Sequence, residues 1–484
     1  MYKQQGVTCF SSLRGSFAGA IYEKAKNSWV VFTDQLGTKF VYYALEVGFF
    51  ACAEMFDILF DDLQTNGIDC SLDVQNAKLL LSYGFMVEDR THCDKIRKIQ
   101  PGCYIVYENG QIREERYYML DNTPDNSMDD EKSIISKIDN LFRQAVIRQF
   151  EKDKEYGYKH IVALSGGLDS RMTSFVAHDC GYTDQLNCTF SQTNYWDETL
   201  PKKMADFLKH EWLFKSLDNG IWLKDVDEVV SETGGNVAYH AIAHGRSLIK
   251  YINFENLGLS HTGQLGDVVL ATKQAHYDDK FEFGEGAYMR DNIELVDIEP
   301  SMQNLNKEIG LYYYRYLNGT NGGIQYLYNY TESLSPFLDI DFMEFAFKIP
   351  YKYRRGHYIY KKWIIQKYPE AAAFEWESIG CKITDRTIRL KGQSIPFRNI
   401  PKRVLSKLGM VKSKQYSKSG MNPLGYYLRT NESLYAHLMD YYDYEKYIQD
   451  DNLKYILKRI KEHGNPVEKL LAVSLLGVVK RYYS

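Results

Sequence analysis

The chain has 484 residues, of which 44% are hydrophobic, and it carries a formal net charge of −4 at pH 7. This length supports two or more domains with full cores, and the charge gives no general electrostatic reason to bind nucleic acid or an anionic membrane. The longest apolar run near the end, residues 470–479, is too short to cross a bilayer, so we expect no membrane span. Eight cysteines without a C-x-x-C pair, and a first segment unlike a secretory signal, indicate a cytoplasmic protein with reduced thiols.

Residues 1–118 alternate short strand-like runs with turns. The last pair of runs flanks Asn109-Gly110, and this dipeptide between two strands is a strong signal for a hairpin. A helical stretch at residues 74–83 lies between the strands. The pattern predicts a sheet-rich α+β domain over residues 1–118. The other predicted strand runs are 18–22, 29–33 and 39–43.

Residues 119–131 are rich in Asp, Asn and Pro, which is typical of a linker at a domain boundary. The second predicted domain is the remainder, residues 132–484. It begins with a helix over residues 133–150, whose apolar residues fall on one face. We expect this helix to cover one side of a sheet.

An apolar run at residues 160–164 leads into the loop Ser165-Gly166-Gly167-Leu168-Asp169-Ser170 and then into a helix-like segment. A strand, a glycine-containing loop and a helix in this order direct several N–H groups at one point, which suits a phosphate. No Lys follows the glycines, so this is not a Walker-type loop. A carboxylate among phosphate-binding groups needs a cation between them, which makes Asp169 a predicted Mg²⁺ ligand. The alternative is a tight turn in which the glycines serve packing only.

Strand-like and helix-like segments alternate from residue 186 to 232, and a further strand-like run follows at 257–260. This alternation predicts a parallel sheet with helices on its faces and ligands at the carboxyl ends of its strands. The later run brings Gly263 and Asp267 to the same crevice as Asp169, so Asp267 is the second predicted Mg²⁺ ligand. Alternatively, Asp267 caps a helix that starts at Val268.

His240 and His244 have a spacing that places two imidazoles on one helical face. The sequence between them lacks the Glu of the zinc-protease motif, and no third ligand stands out nearby. A structural or substrate-pocket role is therefore favoured over a zinc site.

The sequence beyond Tyr288 is mostly helical. A Lys- and Arg-rich stretch at residues 395–419 interrupts the helices and is predicted to be a loop. It is either a lid over an anionic substrate or, as the favoured alternative, a plain solvated loop. The predicted fold class is thus an α+β N-terminal domain followed by an α/β domain with a helical C-terminal part.

The S-G-G-L-D-S loop resembles the pyrophosphate loop of the asparagine synthetase family, and other stretches agree in the right order along nearly the whole chain. Residues 261–267 resemble that family's second Gly- and Asp-containing loop, and Ser335–Asp339 resembles its P-F-L-D segment. Residues 13–22 and 34–39 resemble parts of its N-terminal glutaminase domain. The resemblance implies a truncated glutaminase-like domain followed by an ATP-pyrophosphatase domain of the adenine nucleotide α-hydrolase type.

The resemblance also implies a reaction with ATP and Mg²⁺ as cofactors. A substrate carboxylate attacks the α-phosphorus, pyrophosphate leaves, and ammonia or an amine displaces AMP to give an amide. The expected partners are therefore a small carboxylate and an amine or ammonia, and a homodimer is compatible with this function. By resemblance, adenine lies near Thr189–Ser191. The residues implied to contact the nucleotide are Leu164, Ser165, Gly166, Gly167, Leu168, Asp169, Ser170, Ser191 and Gly263.

The N-terminal domain departs from the family in its nucleophile. The family's glutaminases use an N-terminal Cys whose own α-amine acts as base, whereas this chain has Tyr2 and its first cysteine is Cys9. An interior cysteine has no free amine, so Cys9 cannot take over that arrangement. Loss of glutaminase activity is the favoured interpretation, and a gene start upstream of Met1 is the alternative.

The second domain departs from the family at two further positions. Gln264 stands where the family's second loop has its first Glu, and His357 aligns with the family's phosphate-steadying Lys. Arg354, Arg355 or Lys361 could supply the missing positive charge. Gln264, His357 and Lys361 are accordingly the predicted catalytic residues.

These departures argue against ordinary asparagine synthesis. Met421-Asn422-Pro423 and the aromatic helical segment after it most resemble homologues from surface-polysaccharide clusters. Two hypotheses remain, an ATP-dependent amide-forming ligase with an altered acceptor pocket, and a catalytically silent relative that binds a nucleotide or a partner. Formation of AMP distinguishes them.

Overall fold

The computed structural model describes residues 1–274, 276–390, 393–396 and 420–484. The predicted basic loop lies outside the described residues except for its first two positions, 395 and 396, which belong to a strand. Within the described part of the chain, no helix has both the length and the apolar character needed to span a membrane.

The N-terminal strands are β1 (Ala18–Glu23), β2 (Ser28–Thr33), β3 (Tyr42–Glu46), β4 (Phe49–Ala53), β5 (Ile96–Lys98), β6 (Cys103–Glu108) and β7 (Gln111–Arg116). They form two antiparallel sheets, a four-stranded one in the order β1-β2-β6-β7 and a three-stranded one in the order β4-β3-β5. Val31 and Ile105 of the first sheet pack against Val41 and Ile99 beside the second. The sheet-rich α+β prediction for this region is confirmed.

Local predictions in the N-terminal part are confirmed in most places. Strands β6 and β7 pair as a hairpin, with Asn109 and Gly110 both at positive φ, as a two-residue turn of this kind requires. The predicted run 39–43 is wrong at its start, because the strand begins only at Tyr42. The N-terminal helices are α1 (Tyr2–Gln5), α2 (Phe56–Thr65) and α3 (Val74–Ser82), with a 3₁₀ segment at Gly6–Ser12.

The stretch predicted to be a linker is anchored to the later part of the chain. Leu120 and Asn122 are buried, and the Asn122 side-chain amide donates to Glu308 Oε2 at 2.8 Å. One continuous apolar core includes Phe56 and Leu79 from the first 118 residues together with Leu471 from the last helix. The chain on either side of residues 119–131 therefore shares packing.

The second sheet is parallel, as predicted. Its strands are β8 (Lys159–Ala163), β9 (Gln185–Ser191), β10 (Glu211–Ser216), β11 (Leu257–His261) and β12 (Ser333–Leu334). Their order is β10-β9-β8-β11-β12, and every neighbouring pair runs parallel. The carboxyl ends of β8, β9 and β11 consequently meet at one edge.

Helices cover this sheet as the alternation predicts. The predicted first helix extends further at both ends, as α4, and it packs on β8 and β11. The predicted helix at 221–232 is interrupted, because its first turn is a 3₁₀ segment at Ile221–Lys224. The helices of this part are α4 (Glu131–Glu155), α5 (Asp169–Asp179), α6 (Trp196–Leu208), α7 (Val226–Thr233) and α8 (Ala243–Ile249).

A buried carboxylate joins α4 to β8 and β11. Asp153 Oδ2 accepts hydrogen bonds from His160 at 2.8 Å and His261 at 2.7 Å, and its Oδ1 accepts from the Leu259 N–H at 2.8 Å. The register of β11 against β8 shifts between Leu257 and Ser260, so Asp153 satisfies a backbone donor at the irregular part of the strand.

The C-terminal part is helical, as predicted, with short strand pairs among the helices. The predicted helix at 304–317 is instead a short α-helix that continues as a π-helix at Tyr312–Thr320. The helices are α9 (Gly266–Val269), α10 (Lys307–Leu311), α11 (Ile340–Lys348), α12 (Tyr351–Arg354), α13 (Tyr358–Lys367) and α14 (Pro369–Ala372), then Leu424–Thr430, Glu432–Met439, Asp451–His463 and Pro466–Tyr482. The short strands are Glu375–Trp376, Cys381–Lys382, Thr387–Leu390 and Gln393–Pro396.

Candidate functional site

A cavity of about 540 Å³ lies at the carboxyl ends of β8, β9 and β11. This volume is typical of small-molecule sites, which range over about 300–1,000 Å³. Its walls include strand residues, α8, the π-helix and Phe85 from the N-terminal part of the chain. Residues from both halves of the sequence therefore build one cavity.

The predicted phosphate loop forms part of the cavity wall and turns sharply into α5. Gly166 N–H donates to Asp197 Oδ1 at 2.7 Å, and Gly167 N–H donates to Ser165 Oγ at 3.3 Å. The Ser170 hydroxyl accepts from the Ser165 N–H at 2.9 Å. One N–H group of the loop thus donates to a carboxylate of the protein itself, whereas two others donate to serine hydroxyls.

The second predicted loop lies directly against the first. A Cβ atom on Gly263 would overlap the backbone of Asp169 and Ser170, so only glycine allows this approach. A Cβ on Gly266 would lie 2.7 Å from Asp169 Cγ. These two glycines bring the end of β11 to the first turn of α5.

This contact places Asp169 beside Asp267. Asp169 Oδ2 accepts a hydrogen bond from the Asp267 N–H at 3.0 Å, and its Oδ1 accepts from the Tyr360 hydroxyl at 2.8 Å. Burial and the neighbouring Asp267 carboxylate raise the pKa of Asp169 to about 8. The pKa of Asp267 is raised as well, chiefly by burial, against the opposing charge of Lys273. The Asp267 carboxylate is near enough to act on Asp169 electrostatically, and a cation bound by both would relieve their repulsion.

Asp267 lies inside the first turn of α9 rather than before it, so the alternative in which it caps a helix from Val268 is wrong. Leu265 precedes the helix with φ of 65°, a left-handed conformation that a Leu side chain adopts only under constraint. The tight turn at Leu265 directs Asp267 to the far side of the loop from Gln264.

The two predicted metal ligands line different cavities. Asp169 lines the large cavity, whereas Asp267 lines a smaller one of about 50 Å³. The loop at residues 263–267 borders both cavities, because Gly263 and Gln264 line the large one and Asp267 lines the small one. Other residues around the smaller cavity are Val268, Ala271, Thr272, Lys273, Gln274, Glu308, Leu311, Tyr312, Tyr316 and His357.

The predicted catalytic residues are accordingly divided between the cavities. Gln264 lines the large one, and its backbone carbonyl accepts from the Ser335 hydroxyl at 3.0 Å. His357 lines the small one, where burial and the charges of Lys361 and Lys273 lower its pKa to about 4. His357 is therefore neutral near pH 7 and does not replace a lysine charge. Lys361 follows in the first turn of α13, and its N–H donates to the His357 carbonyl at 3.0 Å.

The other basic residues predicted to replace the missing lysine charge differ in whether they are already bonded to an acidic group. Arg354 is buried and already bonded to Glu308 at 2.8 and 3.1 Å and to the Val269 carbonyl at 3.1 Å. Its charge is neutralised within the protein, so it is not free for a phosphate. Arg355 is exposed to solvent, and Lys273 lies at the small cavity beside Asp267.

The remaining predicted nucleotide residues lie on or next to the large cavity. Leu164, Ser165, Gly167, Asp169, Ser170 and Gly263 line it, and Gly166 and Leu168 complete the loop between them. Ser191 is fully buried and is not among the lining residues, whereas Thr189 and Phe190 are. Thr189 also donates to the Leu164 carbonyl at 2.8 Å, which ties β9 to the phosphate loop.

Four residues of the site escape sequence reasoning. Asp197 comes from the first turn of α6 and Tyr360 from α13, and Arg171 reaches from α5 to four carbonyl groups, three of them beyond residue 370. Arg315 projects from the π-helix into the large cavity. The position of Asp197 after β9 is a usable signal, since helices that follow parallel strands begin at the ligand edge. No local pattern marks the other three.

His240 and His244 do not share one helical face as the spacing predicts, because His240 lies in a 3₁₀ segment at Tyr239–Ala241 and His244 lies in α8. His244 lines the large cavity and packs against Phe190 and Trp222, whereas His240 is buried next to it. Burial lowers the pKa of His240 to about 3 and of His244 to about 4, so both are neutral. Within the described residues, neither belongs to a group of three possible metal ligands.

Residues 1–118 match the family model of a glutamine amidotransferase domain. The chain is 24% identical over 183 residues to amidase chyE of Penicillium rubens, and 25% identical over 183 residues to amidase chry2 of Gibberella zeae. Each match covers 37% of this chain but only 25% and 26% of the respective relatives, so the chain spans about a quarter of the curated proteins that it resembles.

Two solved structures show a distant likeness. NMN synthetase from Francisella tularensis is 14% identical with a TM-score of 0.20, and the match covers 45% of this chain and 93% of that one. NAD⁺ synthetase from Burkholderia pseudomallei is 12% identical with a TM-score of 0.21, covering 51% of this chain and 98% of that one. Scores of this size carry no argument about function.

The amidotransferase-like part has its first cysteine in an apolar environment. Cys9 is 3% exposed and packs with Phe10, Val30 and Tyr104. It lies in a 3₁₀ segment rather than at a chain terminus. A buried thiol without a free amine beside it does not have the arrangement of a glutaminase nucleophile.

Proposed function

We propose that this chain is an ATP-dependent ligase that activates a small carboxylate by adenylation. Ammonia or an amine then displaces AMP from the acyl adenylate and forms an amide, and pyrophosphate is released in the first step. The observation that carries the proposal is the contact between Asp169 and Asp267 at a phosphate-type loop beside a nucleotide-sized cavity.

The cavity has the character of an adenine nucleotide site. Its inner wall combines apolar side chains, such as Phe190 and Leu248, with the backbone of β8 and β9, which suits a flat base. The phosphate loop and the start of α5 lie at the same edge, so the phosphates would extend from the base toward Asp169. We infer that backbone groups near Thr189 and Phe190, rather than the side chain of Ser191, contact adenine.

The donor set at the loop fits Mg²⁺. Asp169 and Asp267 would hold the ion, because paired carboxylates supply the oxygen ligands that Mg²⁺ prefers. When bound, the ion neutralises charge on the departing pyrophosphate. The Tyr360 hydroxyl and the Asp267 N–H each donate to a different oxygen of Asp169, so the carboxylate is oriented before any ligand arrives.

The acceptor carboxylate would bind next to Gln264. Where the resembling family has a Glu, this neutral amide cannot attract an ammonium group, but it can donate a hydrogen bond to a carboxylate. Lys273, which lies beside Asp267 at the small cavity, could counter developing negative charge, since His357 is neutral and Arg354 is bound to Glu308. Lys361 stays a prediction from the sequence. Cys9 is buried and is not a candidate nucleophile for glutamine, and we propose ammonia or an amine as the nitrogen source.

Calorimetric titration with Mg·ATP tests the proposal without knowledge of the acceptor. We expect the unmodified protein to bind and Asp169→Ala to weaken binding by at least about tenfold, because an essential ligand of the metal is lost. Asp206→Ala is the matched control, since this carboxylate on α6 is 84% exposed and distant from the loop in sequence. If the unmodified protein does not bind Mg·ATP, the ligase proposal is wrong.

The second candidate is a silent homologue that binds a nucleotide without turnover. Two groups that could bind a ligand are already bonded to carboxylates of the protein, which favours this candidate. The Gly166 N–H donates to Asp197, and Arg354 donates to Glu308. A screen of carboxylates for AMP and pyrophosphate release distinguishes the two candidates. Nucleotide binding with no AMP from any carboxylate and amine pair would favour the silent form.

A further inference from the structure

His244 of α8 lines the large cavity beside two aromatic rings. Its ring centroid lies 4.9 Å from that of Phe190 and 5.8 Å from that of Trp222. Nδ1 is buried within the protein, so the edge of the ring that lines the cavity is the one that carries Nε2. Among the described residues, none forms a hydrogen bond with Nε2. This nitrogen is therefore available to a ligand in the cavity.

The surroundings of His244 determine whether Nε2 donates or accepts. Burial lowers the pKa of the imidazole to about 4, so the ring is neutral near pH 7. The backbone of His240 acts on the ring as a hydrogen-bond acceptor and opposes this shift of the pKa, which favours a proton on the buried Nδ1. A neutral imidazole that is protonated at one nitrogen accepts a hydrogen bond at the other. Nε2 is consequently an acceptor.

The cavity wall around His244 belongs to the end of β9, next to the phosphate loop. Phe190, against which the imidazole packs, is the second-last residue of β9. The preceding residue, Thr189, donates to the Leu164 carbonyl directly before Ser165. A ligand whose phosphates lie at the loop can therefore extend along the end of β9 and reach His244 with its other end.

The negatively charged residues that line the cavity act elsewhere. Asp169 begins α5, and Asp197 accepts from the Gly166 N–H of the phosphate loop. The pKa of His244 is shifted by burial and by the His240 backbone, and no charged side chain of the described residues contributes. His244 thus lies at an uncharged part of the cavity, apart from the groups predicted to hold the phosphates and the metal. Such a part suits an aromatic base better than a phosphate or a carboxylate, because burial of an unpaired charge is costly.

We propose that Nε2 of His244 accepts a hydrogen bond from the 6-amino group of the adenine base, so that this residue selects adenine over other purines. Guanine and hypoxanthine carry a carbonyl oxygen at that position, and two acceptors that face each other repel. The inference rests on the proposed ligase function, because it assigns His244 to the nucleotide of that reaction. It adds a side chain of α8 to the backbone contacts inferred near Thr189 and Phe190.

Calorimetric titration with two nucleotide analogues and Mg²⁺ tests the inference. Purine riboside triphosphate lacks the 6-amino group, and inosine triphosphate has an oxygen in its place. We expect the unmodified protein to bind Mg·ATP about tenfold more tightly than either analogue, because a hydrogen bond in a buried site is lost. His244→Phe keeps an aromatic ring without the acceptor, so its affinity for ATP should fall to that for purine riboside triphosphate. His244→Gln retains an acceptor and should keep part of the preference.

His463→Phe is the matched control, because the side chain of His463 is 78% exposed and does not line the cavity. It should bind all three nucleotides like the unmodified protein, and thermal unfolding midpoints of all variants verify folding. Equal binding of ATP and purine riboside triphosphate by the unmodified protein would overturn the inference. Tighter binding of inosine triphosphate than of ATP would also overturn it, since Nε2 would then be a donor. Equal losses for all three nucleotides in His244→Phe would mean that the ring serves packing alone.

The two proposals fail in different ways. If no triphosphate binds the unmodified protein, the ligase function fails and the assignment of His244 fails with it. If Mg·ATP binds without any preference for its 6-amino group, only the assignment of His244 fails.

Discussion

Tyr360 orients Asp169 through one hydrogen bond at 2.8 Å, and its ring is fully buried. Tyr360→Phe removes the donor with little change in volume, so we expect the free energy of unfolding to fall by about 1–2 kcal/mol, and Mg·ATP to bind more weakly. Urea denaturation and calorimetry measure the two effects. Tyr358→Phe is the control, because its hydroxyl bonds to Glu131 at the surface and should cost almost nothing. Equal losses in both variants would contradict a role in orienting Asp169.

Substitutions of two glycines of the site distinguish a packing role from a ligand-binding role. A Cβ on Gly263 would overlap the backbone of α5, so Gly263→Ala should lower the free energy of unfolding by about 1–3 kcal/mol. On Gly167 the added atom would meet only Ser165 Oγ at 3.3 Å, so Gly167→Ala should fold normally and lose affinity for Mg·ATP. Denaturation midpoints and nucleotide titrations of the pair check this. Normal stability of Gly263→Ala would show that the two loops do not meet as described.

At the scale of elements, Asp153 secures β11 and hence the loop that follows it. Asp153→Ala would leave three buried donors without an acceptor, so we expect a loss of about 3–5 kcal/mol in the free energy of unfolding. Glu155→Gln, near the end of the same helix, alters an exposed pair with Lys152 and should change stability by less than about 1 kcal/mol. Chemical denaturation of both variants tests this, and similar losses would contradict the bridging role.

Elements that depend on local pattern could be predicted from the sequence. The hairpin at Asn109-Gly110, the parallel sheet and the loop into α5 follow from turn chemistry and from the alternation of strands and helices. The π-helix could not, because tertiary contacts rather than helical propensity set its wider turns. The position of Tyr360 depends on the packing of distant segments, and the neutralisation of Arg354 depends on a partner 46 residues away.

At the scale of the molecule, His92 joins the N-terminal part to two distant segments. One ring nitrogen lies 2.7 Å from the Gly234 carbonyl and the other 2.9 Å from the Tyr483 hydroxyl. Burial lowers the pKa of His92 from 6.5 to about 4, so the folded state favours the neutral ring. Its contribution to stability is complete above about pH 6.5 and is lost as the pH falls toward 4, because the unfolded chain takes up the proton first.

The comparison of the unmodified protein with His92→Gln isolates this contribution, since other titrating groups cancel in the difference. We expect the stability difference to be largest near pH 7.5 and to shrink by about 3 kcal/mol between pH 6.5 and pH 4. Urea denaturation at each pH measures it. A difference that stays constant over this range would mean that His92 titrates normally.

Because Phe85 contributes to the cavity wall, the N-terminal and C-terminal regions are not independent modules. Phe85 pairs with Val237 in an isolated bridge and lies against Gly319, so the amidotransferase-like region supplies part of the surface that a ligand would meet. The N-terminal region therefore has a structural role in the cavity, whatever chemistry of its own it carries. A chimaera joined at residue 118 would therefore take part of its cavity wall from the donor of the N-terminal region, and its substrate preference could change with that region. The C-terminal region alone would have an incomplete cavity.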